Sequence, residues 1–341
     1  MGKIFFPAEW HSQSGVQLTW PHIGTDWADI LDEVIDCYLS ISREIIKREK
    51  LLIVAPANSD VETYFLDEEK ENIIFTEIEC NDTWARDHGA ISVFIDNKPT
   101  LLDFGFNGWG LKFAANHDNQ ITKRLYNMSV FNPDVEYNNH INFILEGGSI
   151  ETDGKGTLLT TTKCLLAPNR NQPLGKEQIE EQLKSALGIN RVLWLNYGFL
   201  TGDDTDSHID TLARFCDEDT IAYIKCDDLN DLHYSELKQM ERELMTFVNN
   251  DGKPYNLLPL PMVDALYGNS GLLPATYANF LIINDAVLMP TYGTTKDEIA
   301  KSQLQKQFPN REIVGIDSRP LIKQHGSLHC VTMQFPEGFI L

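Results

Sequence analysis

Four β-hairpin signals recur along this chain, and their spacing constrains the fold more than any other feature of the sequence. Each signal is a pair of apolar strands around a short polar turn. The turn aspartates lie 57, 64 and 68 residues apart, at Asp96, Asp153, Asp217 and Asp285. The paired strands are predicted at 90–95 with 100–104, 149–151 with 157–160, 213–216 with 221–224, and 280–283 with 287–289. This spacing predicts a repeated supersecondary unit.

Helical periodicity follows each hairpin, and a further apolar strand follows most of the helices. The predicted helices cover 118–129, 175–187, 229–248 and 296–307, and the clearest extra strands are 191–195 and 312–316. The unit is therefore strand, strand, helix, strand.

A further partial unit is predicted at the N-terminus, with a helix over 27–48 and a strand over 51–54. Its missing hairpin is supplied if the segment 16–20 pairs with the segment 330–335, so that the two ends of the chain close a ring. We therefore expect one α/β domain, 1–341, of about five ββαβ units. The alternative is an ordinary mixed α/β sheet, for which alternating strands and helices alone suffice.

The net charge of −22, from 50 acidic and 28 basic residues, argues against a nucleic-acid partner, whose phosphates would be repelled. The same charge would concentrate a small cationic substrate, although many cytosolic proteins are simply acidic. No signal peptide or membrane span is predicted, because no apolar run has the required length. The six cysteines show no CxxC pairing, so a reduced cytoplasmic protein is expected.

Polar residues stand at a similar distance before successive hairpins. Asp87, Glu146 and His208 precede the first three turns, Asp210 follows two positions after His208, and Cys330 opens the closing hairpin. Residues at the same phase of successive units in a ring point toward one axis. These five side chains are therefore predicted to meet in one central pocket. A thiol, a histidine and carboxylates are the groups needed to attack a positively charged carbon.

Each of these residues also has a purely structural reading. A lone cysteine is more often structural, Glu146-Gly147-Gly148 could be a plain turn, and the acidic run 203–206 could be a solvated loop. Trp84 could belong to the core or form the wall of a cation–π site. His325 and His329 do not form a convincing zinc pair, because Gly326 breaks the helix that such spacing needs.

Seven stretches of the chain, in order, resemble the agmatine deiminases of the guanidine-modifying group of enzymes. They are Pro7-Ala8-Glu9-Trp10, Trp84-Ala85-Arg86-Asp87, Phe106-Asn107-Gly108-Trp109-Gly110, Leu145-Glu146-Gly147-Gly148-Ser149, Asn169-Arg170-Asn171, Asp204-Thr205-Asp206-Ser207-His208-Ile209-Asp210 and His329-Cys330-Val331-Thr332. Before the histidine the family usually has Asn-Gly, where this chain has Asp206-Ser207.

The resemblance implies a five-bladed α/β propeller and a hydrolase without metal or cofactor. It implies that Asp87 and Asp210 bind a guanidinium group, that Cys330 adds to its carbon and that His208 transfers protons. Glu146 is expected to orient His208 and to stabilise its charge. Further substrate contacts are expected from Trp84, Arg86, Trp109, Gly147 and Asp204.

The expected substrate is agmatine, whose distal ammonium would meet Asp204. Free arginine and peptidylarginine stay open as substrates, with Arg86, Arg170 or Arg214 as partners for a carboxylate. An amidinotransferase, a non-catalytic polyamine-binding propeller and a homo-oligomer stay open as well.

Overall fold

The computed structural model describes residues 2–269 and 271–341 and shows a mixed α/β fold. Its helices of at least seven residues each follow a strand and lead to a parallel neighbour of that strand, as the repeated unit predicts. They are Leu31–Ile46, Ile121–Asn127, Lys176–Leu187, Tyr234–Leu244 and Lys296–Gln307. The four-residue α-helices are Asp67–Lys70, Ala85–His88, Gly108–Leu111, Thr162–Leu165 and Arg319–Ile322. Short 3₁₀ turns are Ala28–Ile30, Val61–Tyr64, Asp118–Gln120, Gly147–Ser149 and Ile209–Thr211.

All four predicted hairpins are confirmed as antiparallel pairs, and each has a third strand parallel to its second one. The strands of these four sheets are Ile4–Phe5, Ile91–Ile95, Lys98–Gly105 and Glu136–Ile144; Ile150–Thr152, Thr157–Thr161 and Arg191–Leu195; Ala213–Phe215, Thr220–Lys225 and Asn256–Pro261; and Leu281–Ile283, Ala286–Thr291 and Glu312–Asp317.

A fifth sheet joins the two ends of the chain, as predicted. Gln13–Thr19 pairs antiparallel with Thr332–Pro336 and parallel with Lys50–Ala55, and Ile73–Glu77 extends the sheet. A separate two-stranded ribbon consists of Tyr267–Gly268 and Gly271–Leu272.

The predicted helix over 229–248 is shorter in the structure and begins only at Tyr234. The carboxylates of Asp228 and Asp231 accept the backbone N–H groups of Asn230 and His233, which makes two consecutive side-chain turns. Such local bonds compete with the helical pattern and delay the start of the helix.

The helix Leu31–Ile46 shows how a unit is packed. Its buried face carries Val34, Tyr38, Ile41 and Ile45, at helical spacing, against apolar side chains of the fifth sheet and of the strands near 281–288. Burying each large apolar side chain contributes about 1.5–3 kcal/mol. Each helix therefore fixes its sheet against the neighbouring one. Within the described residues, no helix combines the length and apolarity needed to cross a membrane.

Candidate active site

Short irregular segments directly before the hairpins carry the predicted catalytic residues. Asp87 lies in Ala85–His88, Glu146 caps Gly147–Ser149, and His208 and Asp210 flank the start of Ile209–Thr211. Cys330 lies just before Thr332–Pro336. The structure brings these segments from distant parts of the chain into contact, as their shared phase predicts.

Asp87 is held from three sides. Its carboxylate accepts hydrogen bonds from Trp109 Nε1 at 2.9 Å and from the backbone N–H of Gly148 at 3.1 Å, and it lies 3.5 Å from His208 Nδ1. Burial raises the pKa of Asp87 to about 6, although the charge of His208 acts to lower it. These donors fix the direction of the carboxylate.

Gly148, rather than the predicted Gly147, is the glycine that the catalytic groups require. A Cβ atom on Gly148 would lie 2.6 Å from His208 Nδ1 and 2.8 Å from Asp87 Oδ1. A Cβ atom on Gly147 would instead meet the backbone oxygen of Arg86 at 2.3 Å. Close approach of the two reactive side chains therefore excludes any side chain at 148.

Cys330 is buried, with its Sγ 4.0 Å from Asp210 Oδ2 and 3.4 Å from Asn279 Oδ1. Burial, together with the negative charges of Asp210 and Asp87, raises the pKa of the Cys330 thiol well above its ordinary value. Cys330 therefore rests as a thiol in the absence of a nearby positive charge.

His208 is suited to proton transfer. Burial acts to lower the pKa of His208, but Asp87, Cys164 and Glu146 together outweigh it and raise that pKa well above its ordinary value. The second ring nitrogen, Nε2, forms no hydrogen bond with the described residues. An imidazolium beside Asp87 can give a proton to a leaving group.

Glu146 forms its hydrogen bonds with Arg170 rather than with His208, while its negative charge acts on His208 as predicted. Its carboxylate accepts from Arg170 Nε at 2.9 and 3.2 Å, and both side chains are fully buried. A Glu146 oxygen, the Cys164 Sγ and a His208 nitrogen lie within 4.8 Å of one another. Glu146 therefore acts on His208 through its charge rather than through a direct bond.

Arg170 connects Glu146 to the acidic loop before His208. Its Nη1 donates to Asp206 Oδ2 at 2.6 Å, and its Nη2 donates to the backbone oxygen of Thr205 at 2.8 Å. Asp206 is thus part of an ion-pair network and is not a freely solvated loop residue.

His329, the neighbour of the nucleophile, bridges two buried carboxylates. Its Nδ1 lies 2.7 Å from Asp210 Oδ2, and its Nε2 lies 2.7 Å from Glu9 Oε2. Each of these short distances requires a proton between nitrogen and oxygen. Burial acts to raise the pKa of Asp210, but the hydrogen bond with His329 and the charges of His329, His208 and Arg214 together hold it below its ordinary value. Asp210 therefore stays ionised.

A cavity of about 210 Å³ opens onto Cys330. Trp84, Trp109, Asp87 and Asp204 line it together with Cys330, so these predicted residues are brought together. Its remaining lining residues are Asp26, Asp82, Phe113, Asp203, Thr205, Thr211, Gln324, His325 and Gly326.

Gly326 lets Trp84 form a wall of this cavity. A Cβ atom on Gly326 would lie 2.1 Å from the Trp84 ring. The indole Nε1 of Trp84 donates to Asp82 Oδ2 at 3.0 Å, which fixes the ring plane.

Arg86 does not reach this cavity, which corrects its predicted substrate contact. Its guanidinium lies 3.7 Å from Glu9 Oε2, and it lines a different cavity together with Glu9, Gly147 and Glu151. Its neighbourhood is a cluster of buried charges rather than the chamber of Cys330.

The whole chain matches a known protein family and several solved structures. The family model for Porphyromonas-type peptidyl-arginine deiminases matches residues 5–336. The chain belongs to this family.

Proteins similar to this chain are named as agmatine deiminases or arginine deiminases. A Vibrio parahaemolyticus protein, provisionally named an agmatine deiminase, is 34% identical, over 98% of this chain and 97% of its own. A Porphyromonas gingivalis crystal structure, provisionally named an arginine deiminase, is 54% identical with a TM-score of 0.96, over 99% of this chain and 100% of its own. A C. jejuni agmatine deiminase with substrate bound, in which a serine replaces a cysteine, is 40% identical with a TM-score of 0.91, over 98% of this chain and 97% of its own. The predicted resemblance to agmatine deiminases is confirmed.

Two triads in this family member have the composition of a metal site: Glu146 with Cys164 and His208, and Glu9 with Glu151 and His329. In each triad, however, the carboxylates already bind an arginine, Arg170 in the first and Arg214 in the second. A bound cation would compete with a guanidinium that is already in place.

The sequence reasoning missed Asn279 and assigned no catalytic part to Arg170. Asn279 precedes the fourth hairpin in the same way that Asp87, Glu146 and Cys330 precede theirs, so the phase rule that found the others applies to it. Arg170 lies in the motif Asn169-Arg170-Asn171, but nothing in its spacing indicated Glu146 as its ion-pair partner.

Proposed function

We propose that this protein hydrolyses agmatine to N-carbamoylputrescine and ammonia, with Cys330 as the nucleophile. The observation that carries the proposal is a buried thiol next to two carboxylates whose basic partners, among the described residues, are histidines only. Among the described residues, no lysine or arginine forms an ion pair with Asp87 or Asp210. Buried carboxylates of this kind favour a cationic ligand.

The guanidinium of the substrate would lie between Asp87 and Asp210. Asp210 Oδ1 forms no hydrogen bond with the described residues and is available to a donor from the substrate. Charge-assisted hydrogen bonds to both carboxylates would hold the planar group with its carbon facing the thiol.

Entry of the cation lowers the cost of ionising Cys330, because it offsets the negative charges of Asp87 and Asp210. The thiol releases its proton to solvent, and an S–C bond forms at the guanidinium carbon as the C=N π bond opens onto nitrogen. His208 gives its proton to the departing amino group, the C–N bond breaks, and ammonia leaves a covalent thiouronium.

Hydrolysis reverses the roles. Neutral His208 takes a proton from a water molecule whose oxygen adds to the same carbon. The C–S bond then breaks and the sulfur leaves as a thiolate. The remaining hydroxyl proton of the product passes to solvent, which gives the neutral urea. No electron transfer is involved, and one water is consumed for each ammonia released.

The acidic outer part of the cavity supports a substrate with an ammonium tail. The lining includes Asp204 but, among the described residues, neither lysine nor arginine. Burial and the charge of Asp203 raise the pKa of Asp204, so a cation beside it would be stabilising. Free arginine would place an unpaired carboxylate there, which is strongly disfavoured.

The closed five-bladed propeller, built as a single domain, belongs to this proposal. It is supported by the five comparable sheets, by the pairing of Gln13–Thr19 with Thr332–Pro336, and by the meeting of the segments before the hairpins. A cytoplasmic location fits six cysteines that are all unpaired. A homo-oligomer stays open.

Ammonia release from agmatine, free arginine and a blocked arginine peptide tests the proposal. We expect agmatine to be the preferred substrate by kcat/KM. Equal or faster turnover of arginine or of the peptide would refute the diamine assignment, and no turnover of any of the three would refute the enzyme.

A further inference from the structure

Asn279 is fully buried and lies directly before the strand Leu281–Ile283. Its side-chain oxygen accepts from the backbone N–H of His329 at 2.9 Å and more weakly from that of Cys330 at 3.4 Å. Because two backbone donors face this atom, it is the oxygen of the amide and not the nitrogen.

The same oxygen faces the nucleophile. Cys330 Sγ lies 3.4 Å from Asn279 Oδ1, within the range of a hydrogen bond that involves sulfur. An amide oxygen has no proton to give, so the thiol must donate. On the other side, Asn279 Nδ2 donates to the backbone oxygen of Asp210 at 3.4 Å.

We propose that Asn279 is a positioning residue for the reaction, which holds the Cys330 thiol through an S–H···O hydrogen bond and ties it to the segment that carries Asp210. This inference rests on the proposed role of Cys330 as nucleophile. The bond directs the sulfur toward the pair of carboxylates and stabilises the neutral thiol in the free enzyme. When a guanidinium enters, the thiol proton is lost, the bond to the amide oxygen disappears, and the sulfur is free to move toward the substrate carbon.

The other groups around the sulfur set the background for this bond. Asp210 and Asp87 oppose ionisation of the thiol, and a backbone hydrogen bond with Ser327 favours it. Tyr292 is close enough for the charge of a Cys330 thiolate to raise its pKa. His208 Nδ1 lies 3.5 Å from Asp87 Oδ1.

Two substitutions separate positioning of the thiol from general support of the fold. Asn279→Ala removes the acceptor, whereas Asn279→Asp keeps an acceptor of the same shape and adds negative charge. The measurement is the pH dependence of iodoacetamide alkylation at Cys330 in the free enzyme, followed by mass spectrometry of its peptide, together with kcat and KM for agmatine.

We expect the alkylation midpoint to move down by about one pH unit in Asn279→Ala, the size of one hydrogen bond to a thiol. In Asn279→Asp it should move up. In both variants kcat should fall by roughly 10-fold or more while KM changes little, because Asn279 does not touch the substrate.

Asn249→Ala is the matched control. Asn249 is also buried and accepts two backbone N–H groups, from Asp251 and Lys253, but far from Cys330 along the chain. Its loss should leave the alkylation midpoint unchanged even if stability falls.

An unchanged midpoint in the two Asn279 variants, or a shift in the same direction in both, overturns the inference. If Asn279→Ala does not fold, the upward shift in the isosteric Asn279→Asp decides. If the wild type is active on agmatine but the alkylation midpoints of the Asn279 variants do not move, only the role of Asn279 is refuted. If the wild type is inactive on agmatine, the proposed function is refuted whatever the midpoints show.

Discussion

Two buried acidic regions meet at His329, and they differ in how their charge is balanced. Behind His329, Arg214 is fully buried between Glu9, at 2.9 Å, and Glu151. It also donates to the backbone oxygen of Phe280 at 2.5 Å. In front of His329, Asp87 and Asp210 have only histidine, tryptophan and backbone partners among the described residues. We call the first region, with Arg214, Glu9 and Glu151, the paired cluster. We call the second region, with Asp87, Asp210 and the cavity that opens onto Cys330, the open cavity.

The difference shows what each region can do. Carboxylates that already bind an arginine contribute to the folded structure and have little attraction left for an outside cation. Asp87 and Asp210 are buried with only histidines as basic partners among the described residues. A guanidinium that enters completes the charge balance there, and this links substrate binding to ionisation of Cys330.

The largest effect is expected from Cys330→Ala. Removing the nucleophile of the open cavity should lower kcat for agmatine by at least about four orders of magnitude, with the fold unchanged by circular dichroism. Cys37→Ala, at another buried cysteine within the helix Leu31–Ile46, is the control and should keep most of the activity. Substantial ammonia release by the Cys330→Ala variant would show that Cys330 is not the nucleophile.

In the paired cluster, Arg214→Leu should act first on stability. It leaves the buried Glu151 without an ion-pair partner among the described residues and Glu9 with only Arg86 and His329, so the free energy of unfolding should fall by roughly 3–5 kcal/mol. Urea unfolding measures this change. Arg319→Leu is the control, because its ion pair with Asp317 is exposed and should contribute little. Similar losses for both variants would show that the paired cluster is not a stabilising element.

Asp204→Asn should show the reverse pattern in the open cavity. We expect kcat/KM for agmatine to fall by about tenfold or more, roughly 1.4 kcal/mol, because the charge that faces the distal ammonium is lost. The free energy of unfolding should change little, since Asp204 forms no ion pair among the described residues. Asp203→Asn serves as a comparison on the neighbouring carboxylate. A smaller loss of kcat/KM for Asp204→Asn than for Asp203→Asn would indicate that the ammonium binds at Asp203 instead.

The smallest effect concerns pH. Asp87 must be ionised to bind a guanidinium, and its pKa is raised to about 6 by burial. The value of kcat/KM should therefore be full above this pKa and fall by about tenfold per pH unit below it.

Trp109→Phe refines the pH prediction. It removes a hydrogen bond that lowers the pKa of Asp87, so the acid limb should move to higher pH. Steady-state rates between about pH 4 and pH 8, measured for the wild type and this variant, show whether the acid limb of the pH–rate profile moves. An acid limb that stays in place would assign it to a different group.

Much of the fold could be read from local patterns. Hairpin turns and strand alternation are set by neighbouring residues, so the hairpins near Asp96, Asp153, Asp217 and Asp285 were predicted correctly. Helix ends were less accurate, because side-chain turns at Asp228 and Asp231 compete with apolar periodicity.

The site was predicted in its members but not in all of its contacts. Cys330, Asp87, His208 and Asp210 meet as their phase indicated. Glu146 lies beside His208 as predicted, but a short-range pattern could not show that its carboxylate also binds Arg170.

The sequence by itself determined the repeated unit, the pairing of the two ends of the chain and the position of each reactive residue before a hairpin. Only the tertiary structure decided which of the buried charges are neutralised. The reason is that Glu9 and Arg214, or Asp210 and His329, belong to different units and meet only when the sheets pack together. Local propensities act over a few residues, whereas charge compensation in a buried site depends on distances between groups that the chain keeps far apart until it folds.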